Sequence, residues 1–250
     1  RLTKVTGVQT CALPICDLIA TTSWDCTCII WNPHTGEVVT TLTDHAQRVT
    51  LTAWNSTGDL IATTSRDGTC IIWNPHTGEV VTTLTDHTNW ATGVAWHPDG
   101  DLIATTSRDG TCIIWNPHTA EKITTLTGHT HEMTGTAWHP FDDLIATTSN
   151  DRTRIIQNAH TAEKLATLTG HTSWVTGVAW HPTSDLIATT SDDATCIIWN
   201  PHTAEKLATL TGHTSWVTGV AWHPTGDLIA TTSWDRSEEH TSELQSPSLI

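Results

Sequence analysis

Serine, histidine and aspartate, the side chains that together build a hydrolytic triad, recur along this 250-residue chain at a fixed spacing and mostly in the company of tryptophan. The sets are His45, Ser65, Asp67 and Trp73; His87, Ser107, Asp109 and Trp115; and His171, Ser191, Asp193 and Trp199. Between the second and third of these, His129, Ser149 and Asp151 keep the pattern, while Gln157 stands in the Trp position, Arg154 in a Cys position and Ala159 in a Pro position. A catalytic triad needs one copy, raised on a Gly-x-Ser-x-Gly elbow in the common hydrolase form. Here the trio is copied again and again and no such elbow accompanies it. A buried polar network suits the same residue types better. An indole N–H under a sheet needs an acceptor, which a Ser hydroxyl can supply while donating to His, and the other His nitrogen can donate to a turn Asp. Such networks fix a unique arrangement when complete and cost stability when broken. The reading is structural, and neither catalysis nor a cofactor is expected.

The element that must position these residues is a repeat. The stretch Asp-Leu-Ile-Ala-Thr-Thr-Ser-x-Asp begins at Asp17, Asp59, Asp101, Asp143, Asp185 and Asp227, always 42 residues apart. Its segments are short, rich in Val, Ile and Thr, and separated by turn chemistry, which argues for strands. In one copy, strands are expected over about 176–180, 186–191, 196–199 and 207–211. His181-Pro-Thr-Ser and Asn200-Pro-His-Thr turn the chain between them. The nearly continuous apolarity of the second and third strands suits sheets buried on both faces. A period of roughly 40 to 45 residues with Gly-His early and Trp-Asp late marks four-stranded propeller blades. Gly170-His171 and Trp199-Asn200 carry both landmarks, the second slightly altered. The chain thus resembles the WD-repeat β-propeller family in its nearly identical tandem form. That resemblance implies an all-β WD-repeat propeller of four-stranded blades, as an incomplete arc or a five- to six-bladed ring fragment, in which the His, Ser, Asp and Trp sets form buried tetrads.

The two ends read differently. Residues 5–15 and 236–246 can be encoded by a single oligonucleotide read on opposite strands, and both resemble translated sequencing adapter. Residues 1–16 and 236–250 are therefore expected to be non-native and outside the blade pattern, with the propeller spanning 17–235, a fragment of a longer gene. The first strand at 217–222 could pair beside 18–22 and shut a five-bladed ring. Otherwise the arc stays open and its strand edges template oligomers or aggregates.

The chain carries a formal charge of −15, and residues 17–235 keep all of it, with eight Lys and Arg against 23 Asp and Glu. Scattered basic residues argue against nucleic acid as partner, since phosphate contacts need clustered Lys and Arg. No apolar run approaches the roughly 18 residues of a membrane span. Of seven cysteines, Cys28, Cys70, Cys112 and Cys196 hold one position in different repeats. Equivalent positions in neighbouring blades lie too far apart for a disulfide, so these read as small buried hydrophobes and fit a cytoplasmic setting. Two more histidine rows, at His97, His139, His181 and His223 and at His34, His76, His118, His160 and His202, are expected on one face as solvated turn residues. Their spacing is not that of a zinc site.

Because the repeats are internal copies, their differences are informative. One variable position lies between the Ser and the Asp, at Trp24, Arg66, Arg108, Asn150, Asp192 and Trp234. The other follows Gly-His or Asp-His, at Arg48, Trp90, Glu132, Trp174 and Trp216. In a propeller both emerge on one face. Trp and Arg are the residues that most often dominate interface energy, so this face is expected to bind other proteins or peptides. The resemblance further implies the sensor part of a large signalling protein, following a NACHT- or NB-ARC-type module. The alternatives are a propeller attached to a Ser/Thr kinase or protease, and a purely structural scaffold.

Overall fold

The computed structural model describes residues 18–235 in full and residues 5–10 as a strand. The chain is all-β. Blade 1 comprises β1 (Val5–Thr10), β2 (Ile19–Ser23), β3 (Cys28–Trp31) and β4 (Val38–Leu42). Blade 2 comprises β5 (Val49–Trp54), β6 (Ile61–Ser65), β7 (Cys70–Trp73) and β8 (Val80–Leu84). Blade 3 has β9 (Ala91–Trp96), β10 (Ile103–Ser107), β11 (Cys112–Trp115) and β12 (Lys122–Leu126). Blade 4 has β13 (Met133–Trp138), β14 (Leu144–Ser149), β15 (Thr153–Asn158) and β16 (Lys164–Thr169). Blade 5 has β17 (Val175–Trp180), β18 (Ile187–Ser191), β19 (Cys196–Asn200) and β20 (Glu205–Leu210), and blade 6 has β21 (Val217–Trp222) and β22 (Ile229–Ser233). Each sheet is antiparallel with strands in sequence order; five are four-stranded and the sixth has two described strands. Among the described residues there is no helix long and apolar enough to cross a membrane.

Burial follows the sequence pattern. The Ile-Ala-Thr-Thr-Ser strands β6, β10 and β18 are buried at every position, as are the Cys-Ile-Ile-Trp strands β7 and β11. Each blade interface is a separate hydrophobic cluster. Leu42 and Cys28 of blade 1 pack with Ile61, Ile71 and Trp73 of blade 2, and Cys70 and Leu84 of blade 2 with Ile103 and Trp115 of blade 3. The first strands of consecutive blades lie side by side, and from blade 2 to blade 6 two bonds tie each junction, whereas at the first junction the Trp54 indole is buried without a partner. Thr50 Oγ1 donates forward to Ala91 O at 2.8 Å, and Trp96 Nε1 donates back to Ala53 O at 3.0 Å. Thr92 and Trp138, Thr134 and Trp180, and Thr176 and Trp222 repeat the pair at the next three junctions.

One expectation is corrected. Val5–Thr10 was expected outside the blades, yet β1 pairs antiparallel with β2, from Val5 opposite Ser23 to Thr10 opposite Ile19. The reason is local. Val5-Thr-Gly-Val repeats the Val-Thr-Gly-Val of β17 and β21, and its irregularity between Val5 and Gly7 matches that between Val217 and Gly219. The connection to β2 is two residues longer than the one between β5 and β6, and pairing depends on backbone spacing, which a longer turn leaves intact. Residues 1–4, 11–17 and 236–250 lie outside the described residues. Of the two alternatives for closure, the incomplete arc is the one observed. The place beside β2 belongs to β1, and β21 pairs with β22, so the blades form an open arc.

Candidate functional site

The recurring network is complete in blades 2, 3 and 5, with a Thr rather than the Ser hydroxyl at its centre. In blade 2, Trp73 Nε1 donates to Thr63 Oγ1 at 2.8 Å, and His45 Nε2 lies 2.8 Å from the same hydroxyl. His45 Nδ1 faces Asp67 Oδ2 at 3.1 Å. A carboxylate opposite Nδ1 fixes the proton there, so Nε2 accepts from Thr63 while Thr63 accepts from the indole. Ser65, expected as the relay, instead donates to Gln47 O at 3.0 Å and accepts from Asp67 N at 3.2 Å. Register explains the substitution. Trp73 stands opposite Ile61, so Thr63 is its diagonal neighbour on that face, and Ser65 lies two residues farther along, about 7 Å away. Ser107, Ser149 and Ser191 likewise accept from the N–H of Asp109, Asp151 and Asp193, while Thr105, Thr147 and Thr189 meet His87, His129 and His171. The Thr was visible in the motif; only strand register singles it out.

The Asp is held from several sides. Asp67 accepts from Ala46 N at 3.0 Å, Thr69 N at 2.9 Å and Thr69 Oγ1 at 2.6 Å besides the imidazole. Burial alone would raise its pKa, but these bonds outweigh it and hold the carboxyl well below the usual range. The same balance lowers Asp109, Asp151 and Asp193.

Blade 4 departs as its sequence does. Without an indole, Gln157 turns Nε2 to Thr127 O and Ala162 O, both at 3.3 Å, and its buried Oε1 has no partner. Arg154, fully buried, reaches into blade 5. Its Nη2 donates to Thr189 Oγ1 at 2.7 Å, its Nη1 to Leu168 O at 3.1 Å, and its guanidinium carbon sits 4.6 Å from the centre of the Trp199 ring. Thr189 then also takes the Trp199 indole at 2.9 Å, and its contact with His171 Nε2 is 3.2 Å. Burial, and after it the nearby Arg154 charge, lower the pKa of His171. Burial pulls Arg154 itself down to about 9.

The histidine rows meet on one face, joined by shared carboxylates. Asp143 lies 3.5 Å from both His97 and His160, and Asp185 lies 3.4 Å from His139 and 3.2 Å from His202. His97 and His139 are not solvated as expected. They are buried edge-on against Trp138 and Trp180 at 4.8 and 4.7 Å. Among the described residues no group of three or more His, Cys, Asp or Glu is arranged to hold a metal ion.

On the opposite face the two variable positions of each blade are adjacent. Arg66 N donates to Arg48 O, Arg108 N to Trp90 O, Asn150 N to Glu132 O, Asp192 N to Trp174 O and Trp234 N to Trp216 O, all at 2.9 to 3.0 Å. Contacts also run between blades. Arg48 stacks on Trp24 at 4.2 Å, Arg66 and Arg108 cover the Trp90 ring at 4.0 and 4.2 Å, and Arg108 Nε lies 3.4 Å from Glu132. Trp216 and Trp234 form a tilted pair at 5.3 Å. A cavity of about 320 Å³ opens between Arg108, Glu132, Asn150 and Trp174.

The pattern described as WD domain, G-beta repeat matches residues 3–32, 36–74, 78–116, 120–153, 162–200 and 204–237. The chain belongs to the WD-repeat family. Repeats of this family generally mediate contacts between proteins and are typically non-catalytic. No curated protein matches the chain.

Proposed function

We propose that the chain is a non-catalytic protein-interaction platform, the recognition part of a larger signalling protein, and that its variable face takes an acidic or phosphorylated peptide across blades 1 to 3. The observation that carries this reading is the Trp90 ring held between Arg66 and Arg108 at 4.0 and 4.2 Å, with Arg48 stacked on Trp24 beside them. Residues 17–235 hold only eight basic side chains, and three of them gather here. Burial and then the charges of Arg48 and Arg108 depress the Arg66 pKa, so like charges are kept close. Stacking occupies the π face of each guanidinium and leaves its in-plane N–H groups for paired hydrogen bonds to a carboxylate or phosphate. Glu132 partly compensates Arg108, which places the anion nearer Arg48 and Arg66.

The test is fluorescence anisotropy with labelled phosphorylated, acidic and neutral peptides. Arg66→Ala or Trp90→Ala is expected to cost about 2 kcal/mol or more in binding, a hot-spot amount. His118→Ala, at an exposed turn of the histidine face, is expected to cost little. Binding that ignores Arg66 and Trp90 but responds to the histidine face overturns the reading.

A further inference from the structure

We infer that the variable face carries a second subsite at the junction of blades 4 and 5, where Trp174, Glu132 and Asp192 take the guanidinium of an arginine in a partner protein. The inference rests on the reading of this face as a platform for protein segments, and it is independent of the anion proposed for blades 1 to 3.

The first observation comes from setting the chain against itself. Trp174 stands in the position of Trp90, two repeats further on, and its backbone is held the same way: Arg108 N donates to Trp90 O, and Asp192 N to Trp174 O. At Trp90 the flanking turn residues are Arg66 and Arg108, whose guanidinium carbons lie 4.0 and 4.2 Å from the ring centre. At Trp174 the equivalent residues are Asn150 and Asp192. Among the described residues no cation lies over the Trp174 ring, and the residue is 54% exposed. One junction thus holds a guanidinium on each side of its indole, and the other leaves the same places open.

The second observation is charge. The Asp192 carboxylate has no hydrogen-bond or ion-pair partner among the described residues. Burial, and after it the Asp193 charge, raise its pKa, so a cation brought by a partner relieves an unpaired acid. Glu132 gives Oε2 to Arg108 Nε at 3.4 Å, and a carboxylate has lone pairs for further donors. Residues 17–235 hold 23 acidic side chains against eight basic ones, a balance that draws cationic segments toward the chain.

The third is space. A cavity of about 320 Å³ is lined by Trp174, Asn150, Glu132 and Arg108, enough for a planar side-chain head. Arg108 is the one cation in its lining, and Glu132 meets that charge. Arg152 lines a neighbouring cavity and not this one. A guanidinium laid on an indole keeps its in-plane N–H groups for carboxylates, so stacking and ion pairing act on it together. An ammonium has no such plane, which favours arginine over lysine.

The test titrates the full chain with three acetylated and amidated peptides, Gly-Ser-Xaa-Ser-Gly, in which Xaa is arginine, lysine or glutamine. Indole N–H resonances are followed, that of Trp174 being identified by its loss in Trp174→Leu. The arginine peptide is expected to move this resonance saturably, with the glutamine twin bound at least about tenfold more weakly and lysine between them. Asp192→Asn is expected to weaken the arginine peptide several-fold and to leave the glutamine twin unchanged. The peptide trio decides the matter on unaltered protein even where that variant loosens blade 5. Equal binding of the arginine and glutamine peptides, or no saturation up to about 10 mM, would overturn the subsite. A lysine peptide that matches arginine would overturn the assignment to a guanidinium. None of the three peptides carries an anionic group, so their failure leaves phosphopeptide binding at Arg66 and Trp90 standing, and failure of the phosphopeptides leaves this subsite standing.

Discussion

Arg154 Nη2 of blade 4 donates to Thr189 Oγ1 of blade 5 at 2.7 Å, so one repeat's exceptional residue is wired into the next repeat's polar network. Arg154 stands where the other full blades have Cys28, Cys70, Cys112 and Cys196 facing the following blade. Its Nε is buried without a partner. Replacing a buried charge by an apolar residue of good fit often stabilises by about 1 to 4 kcal/mol. Arg154→Cys makes this junction chemically like the one between Cys70 and Trp115, and the chain is expected to gain stability in that range on chemical denaturation. A loss would mean that the Leu168 and Thr189 bonds outweigh the buried charge.

Thr63→Val strands the Trp73 indole and His45 Nε2 together and is expected to cost about 1 to 3 kcal/mol. Thr147→Val is expected to cost less, because Gln157 offers that hydroxyl no hydrogen bond. For the same reason His129→Ala should cost less than His171→Ala, itself about 1 to 3 kcal/mol. Thermal melts of the four variants check the order.

Acid should unfold the arc through its turn aspartates. Asp67, Asp109, Asp151 and Asp193 have folded pKa values below the ordinary one. Their stabilisation is fully present above the unfolded value of about 4 and is lost as pH falls toward the folded values. Denaturation midpoints are expected to drop between about pH 5 and pH 3, and Asp67→Asn to flatten the slope. An unchanged slope in that variant would remove Asp67 from the account.

His171 titrates in a different window. Its folded pKa is lowered by burial and by Arg154, so neutral imidazole is favoured in the fold. That contribution is present above the unfolded value of about 6.5 and is lost as pH falls below it. In Arg154→Cys the His171 pKa is expected to rise, which histidine resonances followed through a pH titration would show. A pKa that stays put assigns the shift to burial alone.

Ala120, Ala162 and Ala204 hold φ of 56 to 58°, at the turn where earlier repeats have Gly36 and Gly78. An L-residue there costs roughly 1 to 2 kcal/mol. Ala120→Gly is expected to stabilise, the relief of strain exceeding the added freedom of the unfolded chain, and a falling melting temperature would count against it.

The blade pattern was legible because each copy repeats both the apolar alternation and the turn chemistry. Strands expected at 176–180 and 186–191 appear as Val175–Trp180 and Ile187–Ser191. What escaped was whatever depends on register or on contacts between copies. Thr63 and Ser65 are equally plausible hydroxyls until Trp73 is set opposite Ile61. Arg154 looked like a local exception because its partners lie 14 and 35 residues away in sequence. His97 looked solvated because its cover, Trp138, belongs to the following blade. Val5–Thr10 was excluded because it resembles translated adapter, although strand pairing depends on backbone spacing and alternation whatever the origin of the residues.

The paired Thr and Trp bonds at the junctions from blade 2 to blade 6 have a thermodynamic consequence for an arc that does not close. Each blade is coupled only to its neighbours, so the molecule behaves as a one-dimensional lattice whose stability is a sum of unit and nearest-neighbour terms. Interior units have two neighbours and the terminal ones a single neighbour. Opening therefore proceeds one junction at a time and not across the whole array at once. A boundary weakened by an unpaired buried group, such as the one spanned by Arg154, is where such a front would pause or where the array would split in two.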